Sequence, residues 1–207
     1  MNNPSLKEQI YSSILNSIIS GEISPDQVLN EKSLMEQYNV SRAPIREALI
    51  ALCSDHVLYS IPYYGYKVSP LTQEDINNTK SFRSVLECGF MYEKWDCFTR
   101  SAIAEIETVY ENEKKVHSAN DALTHWNSNM RFHLSLFSVY GNQYAYESLE
   151  AALQLQTRAY AQNKWEEWHS LIFDDTPPFH GLILDAIKQG AKSEAIKLLK
   201  TDIINIL

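Results

Sequence analysis

The sequence predicts a mainly α-helical protein in which three short helices and a β-hairpin precede an all-helical bundle. Only six of the 207 residues are glycine, and there is no repeat or low-complexity run, which is typical of helices joined by short turns. One stretch of alternating β-forming residues, near the end of the first third of the chain, interrupts this pattern. A chain of this length accommodates two small domains, and we predict one domain over residues 1–71 and another over residues 72–207.

The first helix is predicted from its cap and its apolar stripe. Ser5 and Glu8 have the spacing of a capping box, in which each side chain accepts a hydrogen bond from the backbone N–H of the other residue. Gly21 marks the end of the helix. One side of the helix is apolar and is expected to be buried, through Ile10, Ile14, Ile18 and Ile19.

The second and third helices follow in quick succession. Asn30 is placed to cap a short helix over residues 31–38, and Ser41 is placed to cap the third helix. The third helix has apolar residues at core spacing, namely Ile45, Ala48, Leu49 and Leu52. Arg42 and Arg46 lie four residues apart on the other face. Two exposed arginines one turn apart near a helix N-terminus suit the major groove of DNA.

Residues 57–68 are predicted to form a β-hairpin. β-forming residues fill 57–61 and 66–68, and the residues between them are typical of a turn. Three helices followed by a hairpin form a winged helix-turn-helix, in which the third helix enters the major groove and the wing approaches the backbone or the minor groove. Thr72 begins the next helix, and helical periodicity continues almost to the end of the sequence.

The composition excludes several classes of protein. A formal net charge of −8 argues against a protein that coats nucleic acid indiscriminately, because that activity needs clustered Lys and Arg. Cys53, Cys88 and Cys97 lack the spacing of a zinc finger or a disulfide framework, so we expect reduced thiols. No stretch approaches eighteen apolar residues, and the first residues do not have the pattern of a signal peptide. We therefore expect a cytoplasmic protein that does not associate with membranes.

The first domain resembles the GntR family of regulators over roughly residues 5–72. Three segments carry the resemblance: Asn30-Glu31-Lys32-Ser33-Leu34, Val40-Ser41-Arg42-Ala43-Pro44-Ile45-Arg46-Glu47-Ala48-Leu49 and Gly65-Tyr66-Lys67-Val68. The resemblance implies that the protein binds operator DNA. The first 72 residues carry five basic and seven acidic side chains, so we expect weaker binding than in basic relatives and a strong dependence on salt.

The same resemblance assigns roles to five residues. Arg42 and Arg46 would contact guanines or flanking phosphates, because a guanidinium donates two parallel bonds to O6 and N7. Lys32 would hold a phosphate, and Ser41 would donate to the DNA backbone. Gly65 would let the wing approach closely, although glycine is equally expected there for the turn alone. The alternative for both arginines is a solvated ion pair.

The second domain resembles, more weakly, the C-terminal domain of the FadR-like branch of that family. The resemblance rests on residues 82–87, which contain the pair Arg83 and Glu87, and on residues 129–133, 140–142 and 178–187. It implies an all-helical domain that binds a small molecule. Arg83 is predicted to bind the carboxylate of an effector through its guanidinium, and its alternative is an ion pair with Glu87 on the same helix.

Many members of that branch bind a divalent metal through an Asp, a His four residues later and two further His on the last two helices. His133 and His180 match this pattern, whereas Asn129 replaces the Asp and Asp202 replaces the last His. Two imidazoles, a carboxylate and an amide oxygen are suited to Zn, Ni or Mn, with open positions for water or an anionic effector. The amide is a weak ligand, however, and the added carboxylate moves the preference away from soft metals.

Spacing alone predicts two pairs among these four residues, and the resemblance implies that the two pairs meet. Asn129 and His133 share one face of a helix. A turn at Gly190 separates the last two helices, so His180 and Asp202, about equally far from it, lie side by side in an antiparallel pair. The structural alternatives are two core histidines in a polar cavity and an Asp202 that faces solvent.

Other aromatic and histidine residues are ambiguous. We expect a set of aromatic residues either to line a pocket or to belong to the core, namely Tyr160, Trp165, Trp168 and His169. His117 and His125 are expected at the surface.

The leading hypothesis is a transcriptional regulator that binds a two-fold related operator as a homodimer and responds to a small effector. One alternative is a DNA-binding regulator whose helical domain only dimerises. Another is a metal-dependent enzyme, against which the sequence shows no general base near the histidines, no nucleophile elbow and no glycine-rich phosphate loop.

Overall fold

The computed structural model of the chain describes residues 4–116, 122–163 and 179–205. These residues form two compact units: the first contains residues 4–71 together with 161–163, and the second contains residues 72–160 and 179–205. We call the first unit the headpiece and the second the helical unit. None of the helices in the described ranges is long and apolar enough to cross a membrane.

The headpiece begins with helix α1, Leu6–Ile19, which has the predicted cap. The backbone N–H of Ser5 donates to Glu8 Oε2 at 2.7 Å, and the backbone N–H of Glu8 donates to Ser5 Oγ at 3.3 Å. Helix α2, Glu31–Tyr38, is capped by Asn30, whose Oδ1 accepts from the backbone N–H of Ser33 at 2.8 Å. The predictions for both helices are confirmed.

Helix α3, Arg42–Ser54, begins where it was predicted to begin, but Ser41 does not cap it as expected. Ser41 holds the N-cap position with extended backbone, yet its side chain makes no capping hydrogen bond. The prediction of a Ser41 side-chain cap is therefore wrong. The serine correctly predicted where the helix starts, but its hydroxyl forms no hydrogen bond with the backbone N–H groups of the first turn.

A hairpin of two antiparallel strands completes the headpiece, with β1 at Leu58–Ile61 and β2 at Gly65–Val68. An additional bridge pairs Leu29 with Tyr66, so the chain just before α2 is hydrogen-bonded to β2. The predicted strand started one residue earlier, at Val57. The core of the headpiece draws on all three helices and the hairpin, and it contains the residues predicted for α1 and α3.

The helical unit opens with helix α4, Gln73–Glu93, which Thr72 and Asp75 cap reciprocally. A single 3₁₀ turn, Trp95–Cys97, follows it. The remaining helices are α5 at Arg100–Val116, α6 at Ala122–Ser138, α7 at Gln143–Asn163, α8 at Phe179–Lys188 and α9 at Lys192–Asn205. Helix α9 packs against α8 and α4, and α5 packs against α6 and α8. The close packing of α8 and α9 on either side of Gly190 agrees with the predicted antiparallel pair.

Candidate functional site

The solvent-facing side of α3 presents both predicted arginines. Arg42 and Arg46 are exposed, whereas Ile45 and Leu49 on the opposite side of the helix are fully buried. Arg42 Nε pairs with the carboxylate of Glu31 at the start of α2. Arg46 makes no ion pair with any residue that the structure describes. The ion pair that was the alternative to DNA contact is therefore present for Arg42, whose partner lies on the preceding helix. It is absent for Arg46 within the described residues.

Lys32 and Ser41 lie at the surface of the same unit. Lys32 is exposed in the first turn of α2, next to Glu31. Ser41 is exposed at the start of α3, and its hydroxyl is not used as a helix cap. These positions are compatible with the phosphate and backbone contacts that the sequence assigned to them.

Gly65 has an internal reason to be glycine. Its φ is +131°, and a Cβ at this position would lie 2.3 Å from the backbone oxygen of Leu29. A side chain would thus collide with the segment that pairs with β2. Close packing of the protein backbone accounts for this glycine without any contact to DNA.

A buried chain of charged groups crosses the helical unit. Arg83 Nε donates to Glu87 Oε1 at 2.8 Å, and His133 Nδ1 lies 2.6 Å from Glu87 Oε2. On its other side, His133 Nε2 lies 3.0 Å from Asp202 Oδ2, so the imidazole stands between two carboxylates. Asp202 is only 6 % exposed, so the alternative in which it faces solvent is wrong.

Asn129 and His180 extend this chain. His180 Nε2 is 3.1 Å from Asn129 Oδ1 and 3.8 Å from Asp202 Oδ2. The ring of Phe132 stacks on the imidazole of His180, with the ring centres 3.9 Å apart. One donor atom from each of His133, His180 and Asp202 lies within 4.8 Å of the other two. The structure thus brings together the four residues that the resemblance and the spacing had assigned to one site.

Burial and neighbouring charge act in opposite directions on the ionisable groups of this chain. Burial raises the pKa of Glu87, but the charges of Arg83 and His133 outweigh it and hold that pKa below its ordinary value. Burial lowers the pKa of His133, but the carboxylates of Glu87 and Asp202 raise it above its ordinary value. Burial raises the pKa of Asp202, and its imidazole neighbours lower it overall. Positive and negative groups therefore alternate along this row of buried side chains, from Arg83 through Glu87 and His133 to Asp202.

Some side-chain nitrogen atoms at this site are buried and have no hydrogen-bond partner among the described residues. Arg83 Nη1 donates to Gln156 Oε1 at 2.8 Å, but Arg83 Nη2 and Asn129 Nδ2 have no acceptor in the described part of the chain. Burying a donor without an acceptor is costly, so a further acceptor beside these two nitrogens would stabilise the site. Gln156 was missed by the sequence, because nothing in its local pattern distinguishes it on α7.

The aromatic residues are only partly described. Tyr160 is buried and stacks on Trp126, with ring centres 4.9 Å apart. Trp165, Trp168, His169 and His117 lie outside the described residues, and so does the side chain of His125.

Residues 6–68 match the family described as bacterial regulatory proteins, gntR family, and residues 81–204 match the FCD domain. The chain belongs to the GntR family. It is 24 % identical over 147 residues to the uncharacterized HTH-type transcriptional regulator YdfH of Escherichia coli, a stretch that covers 71 % of this chain and 64 %, less than two thirds, of that relative.

Two further comparisons agree with this membership. The gluconate operon transcriptional repressor of Bacillus licheniformis is 26 % identical over 190 residues, which cover 88 % of this chain and 75 % of the repressor. The solved structure of E. coli McbR/YncC has the same fold, with a TM-score of 0.75 at 22 % identity over 98 % of this chain and 95 % of the other. The family and these relatives are regulators, so the alternative of a metal-dependent enzyme is not supported.

Proposed function

We propose that this GntR-family chain is a cytoplasmic, sequence-specific DNA-binding transcriptional regulator whose FCD domain binds a small effector. The observation that carries the proposal is the exposed Arg46 on α3, the third helix of a winged helix-turn-helix, with no competing ion pair among the described residues. Arg42 lies one turn away on the same face, and Lys32 and Ser41 flank it. This arrangement supports contacts to base edges from α3 and to phosphates from its neighbours.

Arg46→Ala tests the DNA-binding surface. The probe is a duplex selected from a random library by the wild-type protein. We expect Arg46→Ala to weaken binding by about 5- to 150-fold, which corresponds to the 1–3 kcal/mol of a base-reading arginine. Arg100→Ala, an exposed arginine in the helical unit, is the matched control and should bind like the wild type. Equal affinity for Arg46→Ala and the wild type would contradict the assignment of α3.

We further propose that His133, His180 and Asp202 hold a divalent cation such as Zn, Ni or Mn, with Asn129 Oδ1 as an additional ligand. The residues fit a cation because His133 Nδ1 lies 2.6 Å from Glu87: when a cation displaces the proton from Nε2, Glu87 accepts from Nδ1–H and the lone pair of Nε2 is available to the metal. Nε2 of His133 and Oδ2 of Asp202, which lie 3.0 Å apart, would then share the cation as a common partner. A bound cation would supply positive charge that anchors an anionic effector.

Elemental analysis tests the metal site directly. Protein purified without chelator or a metal-affinity column should contain close to one equivalent of metal, and His180→Ala should lack it. His56→Ala in the headpiece is the matched control and should retain the metal. A second readout is the rise in thermal stability on adding Mn²⁺ or Zn²⁺, because a ligand that binds only the folded state stabilises it. A metal-free wild type with no such rise would contradict the proposal.

The effector is proposed to be a small carboxylate. The donors on Arg83 and Asn129 that have no acceptor among the described residues are the groups that a carboxylate would satisfy, since it offers up to four acceptor sites. Gluconate is a suitable first probe, because the chain is similar to gluconate operon repressors, and the neutral polyol sorbitol is its control. Stabilisation by gluconate and not by sorbitol is expected if a carboxylate is recognised.

The alternative that the FCD domain only dimerises has one observation in its favour. Arg83 is already engaged by Glu87 and Gln156. Under this alternative, neither metal nor any carboxylate of a broad panel stabilises the protein, while DNA binding is unaffected.

Homodimerisation is proposed because one headpiece reads too few base pairs for a specific operator. An uncharged, exposed stripe on α4 supports it, formed by Phe82, Val85, Gly89 and Tyr92. Light scattering should give the mass of a dimer for the wild type and a smaller mass for Val85→Glu. Tyr144→Glu, at an exposed position on α7, is the control and should remain dimeric.

A further inference from the structure

Helix α5 carries none of the residues assigned to the metal site, yet it packs against α6 and α8, which carry three of those four residues. Tyr110 of α5 contacts both helices. Its ring meets Phe132 of α6 edge-on, with ring centres 6.1 Å apart, and its hydroxyl approaches Gly181 of α8. In the sequence, these two neighbours directly precede His133 and directly follow His180.

Gly181 is a helical glycine whose missing side chain makes room for Tyr110. A Cβ at position 181 would lie 2.6 Å from the Tyr110 hydroxyl oxygen and 3.3 Å from the ring carbon that bears it. At Gly89, a glycine inside α4, a Cβ would meet no atom of the neighbouring described residues within 4 Å. Because glycine is less stable than alanine inside a helix, the close approach of the hydroxyl is a reason for a glycine at position 181.

Phe132 connects Tyr110 to His180. The Phe132 ring is fully buried and stacks on the His180 imidazole, with an angle of 16° between the two planes. On α5, Lys114 Nζ lies 5.3 Å from the centre of the Tyr110 ring, which is within the range of a cation–π contact. Three rings therefore pack in series, from Tyr110 through Phe132 to His180, and a lysine holds the first of them.

The orientation of the His180 imidazole decides which atoms its nitrogens meet. Rotation about the bond between Cβ and the ring is only weakly restricted in a histidine side chain, so neighbouring groups have to fix it. In the structure, Nε2 is directed toward Asn129 Oδ1 and Asp202 Oδ2. Packing against the face of the imidazole limits the rotation without using either nitrogen. The stack with Phe132 therefore directs Nε2 toward the two oxygens and leaves its lone pair to a cation.

We propose that Tyr110 and Gly181 are positioning residues for His180. Tyr110 closes against Gly181 and supports the Phe132 ring, and that ring holds the imidazole in the orientation that the metal site requires. Neither positioning residue contacts the cation. They act on a metal ligand through packing, in the way that groups behind the ligands of a metal orient them. This inference rests on the proposed metal site and assigns it a support on α5.

Gly181→Ala tests the proposal without removing any ring. The added methyl group displaces the Tyr110 hydroxyl, which is the end of a side chain and is able to move, so the midpoint of thermal unfolding should change little. Affinity for Zn²⁺, measured by competition with a chromophoric chelator, should fall about tenfold or more, as when a group that orients a metal ligand is lost. Gly89→Ala, at the helical glycine with open space, is the matched control and should bind Zn²⁺ like the wild type.

A second-site variant separates positioning from a general effect on the helix. Tyr110→Phe removes the hydroxyl and keeps the ring against Phe132, so it should bind Zn²⁺ with nearly the wild-type affinity. In the double variant Gly181→Ala/Tyr110→Phe, the new methyl group no longer meets the hydroxyl oxygen, and most of the lost affinity should return. Tyr110→Leu removes the aromatic contact and should lose affinity whether position 181 is glycine or alanine.

A second readout follows the imidazole itself in metal-free protein. Protons that lie over the face of an aromatic ring resonate upfield in NMR spectra, so Phe132 should shift the ring protons of His180 upfield in protein kept in a chelator. The signal that disappears in His180→Ala identifies these protons. Gly181→Ala should reduce the upfield shift, and the double variant with Tyr110→Phe should restore it.

The outcomes distinguish this inference from the metal proposal. If the wild type binds no Zn²⁺, the metal proposal is wrong, and the proton shifts of His180 alone decide whether Tyr110 positions the imidazole. If the wild type binds Zn²⁺, and Gly181→Ala binds it equally well with unchanged His180 shifts, the positioning role alone is overturned. A loss of affinity in Gly181→Ala that Tyr110→Phe does not restore would also overturn it, because the methyl group would then act by another route.

Discussion

Two arginine–glutamate pairs, one in each unit, show how differently the two parts of this chain use charge. The side chain of Arg42 is 70 % exposed and pairs with Glu31 at the surface of the headpiece. The side chain of Arg83 is fully buried and pairs with Glu87 inside the helical unit. The first pair is screened by water and salt, whereas the second has lost its hydration and depends on its protein partners.

Because of this difference, substitutions at the functional residues are expected to affect folding in one unit and not in the other. In the headpiece, the residues assigned to DNA lie outside the apolar core, so most of them are free to change without unfolding it. In the helical unit, the residues assigned to a ligand are buried, apart from the half-buried His180, and they hold one another in place. Substitutions at the second site should therefore alter stability as well as binding.

The largest expected effect comes from breaking the buried pair. Glu87→Gln removes the counter-charge of Arg83 and of His133, and we expect it to destabilise the helical unit by about 3–5 kcal/mol. All four tryptophans lie after residue 72, so urea unfolding followed by tryptophan fluorescence reports on the second domain. Glu31→Gln, the matched surface variant, should cost less than about 1 kcal/mol in headpiece stability measured by hydrogen exchange. Similar costs for both would remove the contrast between the units.

The next largest effect is expected at Gly65, the one residue assigned to DNA that the headpiece also needs for folding. Gly65→Ala places a Cβ against the backbone oxygen of Leu29 and keeps a positive φ, so we expect a loss of at least about 2 kcal/mol. Gly141→Ala also has a positive φ but no atom within 4 Å, and it should cost only about 1 kcal/mol. Hydrogen exchange of the hairpin amides measures the first change, and tryptophan fluorescence measures the second. A harmless Gly65→Ala would show that the close approach is not required.

The smallest effect distinguishes two helix starts. Asn30→Ala removes a capping hydrogen bond to Ser33 and should cost about 1 kcal/mol. Ser41→Ala removes no cap, so stability should hardly change, while affinity for the selected duplex should fall if the hydroxyl contacts DNA. Thermal unfolding and DNA titration of the two variants should therefore give opposite patterns. A loss of stability in Ser41→Ala would show that its hydroxyl does act as a cap.

The sequence predicted what depends on neighbours along the chain. Capping boxes, apolar stripes and the hairpin are local patterns, and α1, α2 and the wing lie where those patterns placed them. The pairing of Asn129 with His133 and of His180 with Asp202 was also predictable, because it follows from one helical turn and one antiparallel pair, whereas the meeting of the two pairs was implied by the resemblance to the family.

The sequence did not reveal contacts that depend on how separate helices pack. Gln156 meets Arg83 from a position 73 residues away, and no local pattern relates the two. The pairing of Arg42 with Glu31 likewise depends on the angle between α2 and α3. The positive φ of Tyr63 was hidden because the residue type argues against it.

The positions of the buried charged groups along the sequence affect the order in which the two units fold during synthesis. Together these groups draw on α4, α6, α7, α8 and α9, and the last of them is Asp202. The headpiece core, in contrast, uses only residues 10–68. Because synthesis proceeds from the N-terminus and domains generally fold as units, the headpiece is able to fold while the ribosome is still making the sensor. During translation, the helices and hairpin of the headpiece are therefore able to pack before the buried charged groups of the helical unit meet.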